Sequence, residues 1–432
     1  MILKNKELGK YLFDFMAIEF DGIFKKDISS MSLKDQSVLF HEYIHFWQNI
    51  STSNGLRDSH YSLSLLGSYF YKLKKENKKI SEHISLDSIK HTSICNEVLT
   101  NSRFLDSNSF LEYNNLIVED YHEYKDVEYI EIIKGSDEYS DKEKEVFIKT
   151  LPYVIELKID DVHTVSFNLS SLTIQESMAA IIEKEVFGDL FGSSRKILQY
   201  EIVKEFCEFV LQREIDNKFV AEICEVSLLY EDSVNMFVLI LEMIRDEKFL
   251  PEQCGDILNF IESKLEDKSK FINDFNKYFE SLVSSINYVL PEAEASTKLR
   301  KCIFDKALNR AHQIRIDDNL FITRILWKKT TDEQIEYIQR LQYNLIPVII
   351  IDRNLDLYSA AEFSNSEIHP LCFYNYYTLL NLFKFNHREC ALIDVCKKYG
   401  NIKQEHICKN SPWINAHNCF FKIWIDVWGL KY

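Results

Sequence analysis

Glycine and proline are scarce, at 10 and 6 residues among 432. That scarcity excludes collagen-like repeats, elastic linkers and proline-rich recognition tracts. It also leaves little material for phosphate-cradling loops, and neither GxGxxG nor GxxxxGK[ST] occurs, which argues against a Rossmann or Walker nucleotide site. Positive charge is outnumbered: 51 Lys and Arg stand against 67 Asp and Glu, for a net charge of −16. An acidic surface repels phosphate backbones, so no nucleic-acid partner is expected. The Lys-rich stretch Lys72, Lys74, Lys75, Lys78 and Lys79 reads as a solvated helix end. Long apolar runs are missing as well. The longest lies near Phe237–Leu241, bounded by Asn235 and Glu242, far short of the roughly 20 residues that span a bilayer. The amino-terminal MILKNKELGKYLFDF lacks the basic-then-apolar pattern of a leader. The reading is a cytoplasmic protein with no membrane partner, whose ten cysteines are reduced thiols, buried or metal-bound.

What is present is core material. Hydrophobic residues make up 46% of the chain, including 30 Phe, 23 Tyr and 5 Trp, which is ample for globular folding. The length predicts roughly two to four domains. Residues 11–20 (YLFDFMAIEF) read as one strand. Ser32 followed by Asp35 has capping-box spacing, and Val38, Leu39, Ile44, Phe46, Trp47 and Ile50 recur at helical spacing behind it. Residues 60–80 continue as helix, and 100–145 read as irregular. Residues 152–171 hold two alternating segments that predict a hairpin, and Thr173 opens a helix of good formers, TIQESMAAIIEKEV. Residues 195–290 show only amphipathic helical patterns. A helix is read over 297–312, then a helix and a buried strand over 331–352. The expected organisation is an active-site region at 1–195, a helical region at 196–295 and a Cys- and aromatic-rich region at 296–432. The fold class expected is α+β and predominantly helical, with a small mixed sheet.

One constellation carries chemistry. His41-Glu42-Tyr43-Ile44-His45 is an HExxH sequence on a predicted helix. Residues four apart share a helix face, so both imidazoles can point at one ion, while Glu42 falls on a neighbouring face as a base rather than a ligand. Zinc held by three protein ligands with one open position lowers the pKa of its water towards about 7. With 12 His and about 40 Glu, chance supplies roughly 0.03 HExxH matches in a chain this long. A third ligand is needed. The metzincin pattern fails, because Gln48 and Ser51 stand where Gly and His are required. Asp58, His60, His163 and Glu176 are the candidates. Glu176 is the strongest: it opens a helix after the hairpin, and the small residues Ala179 and Ala180 allow that helix to approach the HExxH helix closely. Glu183, seven residues on, lies on nearly the same face and is placed to hydrogen-bond a ligating His.

HEYIHFWQ followed by the distant IQESMAAIIE resembles the gluzincin branch of the zincin metallopeptidases. In particular it is similar to bacterial HExxH proteins in which Gln follows the second His by three residues and the third ligand opens a Glu-x-x-Ala helix. The resemblance implies a zincin-like catalytic domain, Zn2+ as cofactor, His41, His45 and Glu176 as ligands, and Glu42 as general base. It covers about the first 190 residues, and the separation of 131 positions from His45 to Glu176 exceeds the thermolysin-like spacing. The activity implied is hydrolysis of a peptide bond in a protein or peptide substrate, under restraint from narrow specificity, a lid or a regulatory protein partner. An edge strand in such enzymes pairs with extended substrate, and residues 11–20 or His163–Leu169 fit that part. His163 and Tyr153 are the nearest oxyanion-stabilising candidates. Two other readings stand beside this one: a helical interaction protein with a structural zinc site, and a metal-dependent hydrolase of a non-peptide bond. The carboxy-terminal His387, Cys390, Cys396, His406, Cys408, His417 and Cys419 are soft-ligand types without CxxC spacing, and read chiefly as buried thiols.

Overall fold

The computed structural model describes residues 8–13, 16–80, 129–134, 153–158, 164–188, 202–265, 270–290, 294–364, 367–375, 378–379, 389–399, 405–414 and 419–431. The chain is mostly helical with a small mixed sheet. Strands β1 (Gly9–Leu12) and β2 (Ala17–Phe20) form an antiparallel hairpin. The single strand read over 11–20 is therefore two, and the chain reverses into Met16, which sits at φ 50° in the left-handed region. Helices α1 (Leu33–Ser51) and α2 (Ser53–Lys75) follow. Strand β3 (Tyr129–Lys134) lies inside the stretch read as irregular, and pairs antiparallel with β4 (Tyr153–Lys158), which pairs with β5 (Thr164–Asn168). The hairpin expected over 152–171 is this last pair.

Helix α3 (Ser171–Phe187) begins two residues earlier than Thr173, because Ser170 is its cap and accepts from the Thr173 amide at 3.2 Å. Helices α4 (Ile202–Leu211), α5 (Asn217–Leu228), α6 (Ser233–Asp246), α7 (Asp256–Lys264) and α8 (Lys270–Val289) make up the helical middle. The helix read over 297–312 is α9 (Thr297–Ile303) and α10 (Asn309–Asp317), joined by a π-helical turn at Phe304–Leu308. Helix α11 (Thr331–Asn344), β6 (Ile349–Ile351) and β7 (Leu357–Ser359) come next, then α12 (Ile393–Lys398), α13 (Glu405–Asn410) and α14 (Phe420–Val427). Among the described residues, no helix is long and apolar enough to cross a membrane.

The mixed sheet runs in the order β1-β2-β6-β7, with β2 and β6 parallel in the register Ile18 to Ile350. It joins the first 20 residues to residues near 350, and β1 lies on its edge. Helix α1 packs against this sheet, against α2 and against α3. Every residue from Ser37 to Ser51 is buried, so α1 is covered on all sides and its polar side chains must find partners inside the protein. Its start follows the sequence signal: Ser32 accepts from the Asp35 amide at 3.1 Å. Its end is a sharp corner. Thr52 has extended backbone, donates to the Gln48 carbonyl at 2.7 Å, and caps α2 by accepting from the Gly55 amide at 3.1 Å. A Cβ on Gly55 would lie 2.4 Å from the Asn49 Cα, so only glycine lets α2 turn so tightly on α1. Arg315 in α10 completes the anchor. It donates through Nε to the Ser51 carbonyl at 2.8 Å and through Nη1 to Glu225 at 2.6 Å, a fully buried pair.

Candidate metal centre

The polar residues of α1 converge on one point. His41 and His45 lie one turn apart, and their Nε2 atoms are 3.0 Å from each other. The carboxyl of Glu176, from the second turn of α3, brings Oε2 to 3.4 Å from His41 Nε2 and 3.2 Å from His45 Nε2. Three donors bound tetrahedrally at about 2.0–2.1 Å from one ion would be spaced about 3.3 Å apart. The observed triangle has those dimensions, with two imidazole nitrogens and a carboxylate oxygen, a set suited to a divalent transition ion. Among the described residues, this is the group of His, Cys, Asp and Glu close enough to hold a metal.

Each imidazole is oriented from behind. His41 Nδ1 lies 2.9 Å from Glu183 Oε2, and the other oxygen of Glu183 accepts from the Ser37 hydroxyl. His45 Nδ1 lies 2.9 Å from Gln48 Oε1. With each Nδ1 turned to an oxygen that accepts its hydrogen, the two Nε2 atoms are the ones that face each other and Glu176, and in the neutral rings they would carry the lone pairs that bind an ion. Without an ion this cluster shares protons. Burial lowers the proton affinity of His41, but hydrogen bonds to Glu176 and Glu183 outweigh it and raise its pKa to about 10. Burial alone would raise the pKa of Glu176, yet the charge of His45 and its hydrogen bonds to both imidazoles hold it well below the carboxylate range. A divalent cation would take the place of those protons.

Glu42 is beside the cluster without joining it. Its side chain is 6% exposed and faces β1, where a Cβ on Gly9 would lie 2.5 Å from Oε1. Burial raises its pKa to about 7, against the pull of His41 and His45. The Glu176 side chain, at 27% exposure against 11% and 8% for the two histidines, is the ligand that reaches towards solvent.

The other third-ligand candidates are elsewhere. Asp58 is paired with Arg57 at 3.1 Å. His60 accepts or donates through Nδ1 to Ser285 Oγ at 2.7 Å, on α8. Both sit on α2, which the corner at Thr52 carries away from the triad. His163 lies outside the described residues, as does the side chain of Tyr153. Of the carboxy-terminal set, His387 and His417 also lie outside them. Cys390, Cys396, Cys408 and Cys419 are free thiols, and burial pushes the Cys396 thiol up to about 12. They do not form a metal cluster among the described residues. Ser37 and Gly9 had no role in the sequence reading, and Gln48 entered it only as part of the HEYIHFWQ motif, without a contact assigned to it. Ser37 and Gln48 are one turn from His41 and His45 on the same helix, and that spacing was the available signal. No protein family, curated protein or solved structure matches the chain.

Proposed function

We propose that the protein is a zinc-dependent peptidase of zincin type, working in the cytoplasm on a protein or peptide substrate. The observation that carries this reading is the pairing of a three-donor triangle, 3.0–3.4 Å on its edges, with an adjacent buried carboxylate that is not one of the donors. His41, His45 and Glu176 would hold the ion. Zinc in such a site supplies Lewis acidity, acidifying a water and polarising a carbonyl. Glu42 would take the proton from the attacking water and return it to the leaving amine nitrogen, as a buried carboxylate beside the donors is placed to do. Glu183 and Gln48 keep the two imidazoles in the ligating tautomer.

Substrate would lie along the edge strand β1, which passes Glu42 at Gly9 and whose outer edge is unpaired among the described residues. An extended peptide added there would run past Glu42. Three protein donors, with Glu176 at the solvent side, favour this over a closed structural site. Glu42→Gln tests the role of the base. The variant should bind one ion per chain while peptide hydrolysis falls by about 10²–10⁴, read from metal analysis and cleavage of a peptide library. Full activity in Glu42→Gln would contradict the assignment. Cleavage of esters or other non-peptide bonds, with peptides untouched, would point to a different hydrolase.

A further inference from the structure

Gln48 donates no atom to the metal triangle, yet it touches both halves of it. It is completely buried, one turn beyond His45. The direction of its amide follows from hydrogen-bond chemistry. One end lies 3.1 Å from the main-chain carbonyl of Gln175, a group that only accepts, so that end is the NH2. The oxygen therefore faces His45 Nδ1 at 2.9 Å, and Nδ1 must carry the hydrogen. The lone pair of His45 is thereby left on Nε2, in the triangle. The same NH2 grips the peptide carbonyl immediately before Glu176. Residue 175 is held a second time from α2, where its side chain donates to Asn54 Oδ1 at 3.0 Å. The second turn of α3 is thus fixed against α1 and α2 together, at the point where it presents Glu176. His41 has a separate clamp in Glu183 and Ser37.

We propose that Gln48 is a positioning residue that couples the two ligand-bearing helices. It fixes the tautomer of His45 and the backbone of Glu176 through the two ends of one amide. This rests on the metal-centre reading above, and it assigns to Gln48 a share of ion affinity that no first-contact list would give it. His45 and Glu176 are 131 positions apart in the chain, and this amide bridges them directly.

The test is zinc affinity by chelator competition, with the cobalt(II) absorption spectrum as the reporter of coordination geometry. Wild type, Gln48→Met, Gln48→Glu, Glu176→Ala and the Gln48→Met/Glu176→Ala double variant are compared, with folding checked by circular dichroism and chelator strength chosen to reach the weaker binding of the Glu176→Ala proteins. Gln48→Met should weaken zinc binding about 10- to 100-fold and alter the cobalt spectrum. Gln48→Glu still accepts from His45 but offers no donor to the Gln175 carbonyl, so its affinity should fall between the two. With Glu176 already replaced by Ala, the Gln48→Met loss should shrink, because the part acting through Glu176 is gone. Wild-type affinity and spectrum in Gln48→Met would overturn the proposal while leaving the metal centre intact. So would an undiminished loss in the Glu176→Ala background together with a Gln48→Glu loss as large as that of Gln48→Met. A wild-type chain that takes up no ion would overturn the metal centre itself, and the proposal with it.

Discussion

Glycine at position 9 makes the space in which Glu42 sits. A Cβ there would meet Oε1 at 2.5 Å and Cγ at 2.8 Å. The carboxyl end of Glu42 can move, but it is buried between β1 and the histidines, so it would move off its station. Gly9→Ala should keep the ion and lower kcat/KM for peptide hydrolysis by about tenfold or more, roughly 1.4 kcal/mol in the barrier. Unchanged kcat/KM would show that Glu42 is not held as described. The clustering of the residues was legible in the sequence where the geometry is local. His41, Glu42 and His45 need only helical spacing, and Glu176 and Glu183 need only a second helix with small residues beside them. Gly9 could not be read, because what it must accommodate lies across a sheet–helix contact. Gln48 was half legible: its spacing from His45 is local, but its second partner is 127 residues away.

At the scale of the element, α1 depends on groups supplied by distant helices. Arg315 satisfies the carbonyl and hydroxyl of Ser51 and neutralises Glu225, both partners fully buried. Removing one side of a buried pair strands the other. Arg315→Met should cost about 3–5 kcal/mol by urea unfolding, and Arg315→Met/Glu225→Met should recover part of it, since the amides of Ile322 and Thr323 that also bond Glu225 then lose their acceptor. Equal losses in the single and double variants would mean that the pair does not anchor α1. A second buried carboxylate tunes stability to pH. Glu222 in α5 accepts from the amides of Gly255 and Ile257 at the start of α7, each at 3.1 Å, and its Oε2 is buried without a partner. Burial, with Glu225 and Asp256 nearby, raises its pKa to about 7 despite those bonds. A carboxyl raised on folding binds more protons in the native state, so its contribution is full below about pH 4.5 and is lost as pH rises through about 7. Glu222→Gln should therefore be more stable than wild type at pH 8, by on the order of 2–3 kcal/mol, with the gap closing towards pH 4.5. A gap independent of pH would refute this. Element boundaries were legible where a cap marks them, as at Ser32. The break between β1 and β2 was not, because the run Tyr11–Phe20 has no Gly, Pro or Asn, only Asp14 interrupts its apolar start, and it is Met16 that takes a positive φ.

At the scale of the whole molecule, the α+β, mostly helical character followed from periodicity, but the sheet that supports α1 did not. Its parallel partner for β2 is the short run Ile349–Ile351, and nothing in a single sequence announces which distant strand completes a sheet. Among the described residues, one buried hydrophobic cluster takes in residues from Leu12 to Leu430. What this assembly achieves is to bring α3 onto α1, so that residues 41, 45 and 176 meet. Metal analysis of the purified chain tests that most directly. Wild type should carry about one zinc per chain after dialysis against trace metal, and His45→Ala and Glu176→Ala should carry little or none while remaining folded. An ion-free wild type, or the same occupancy in all three proteins, would contradict the account.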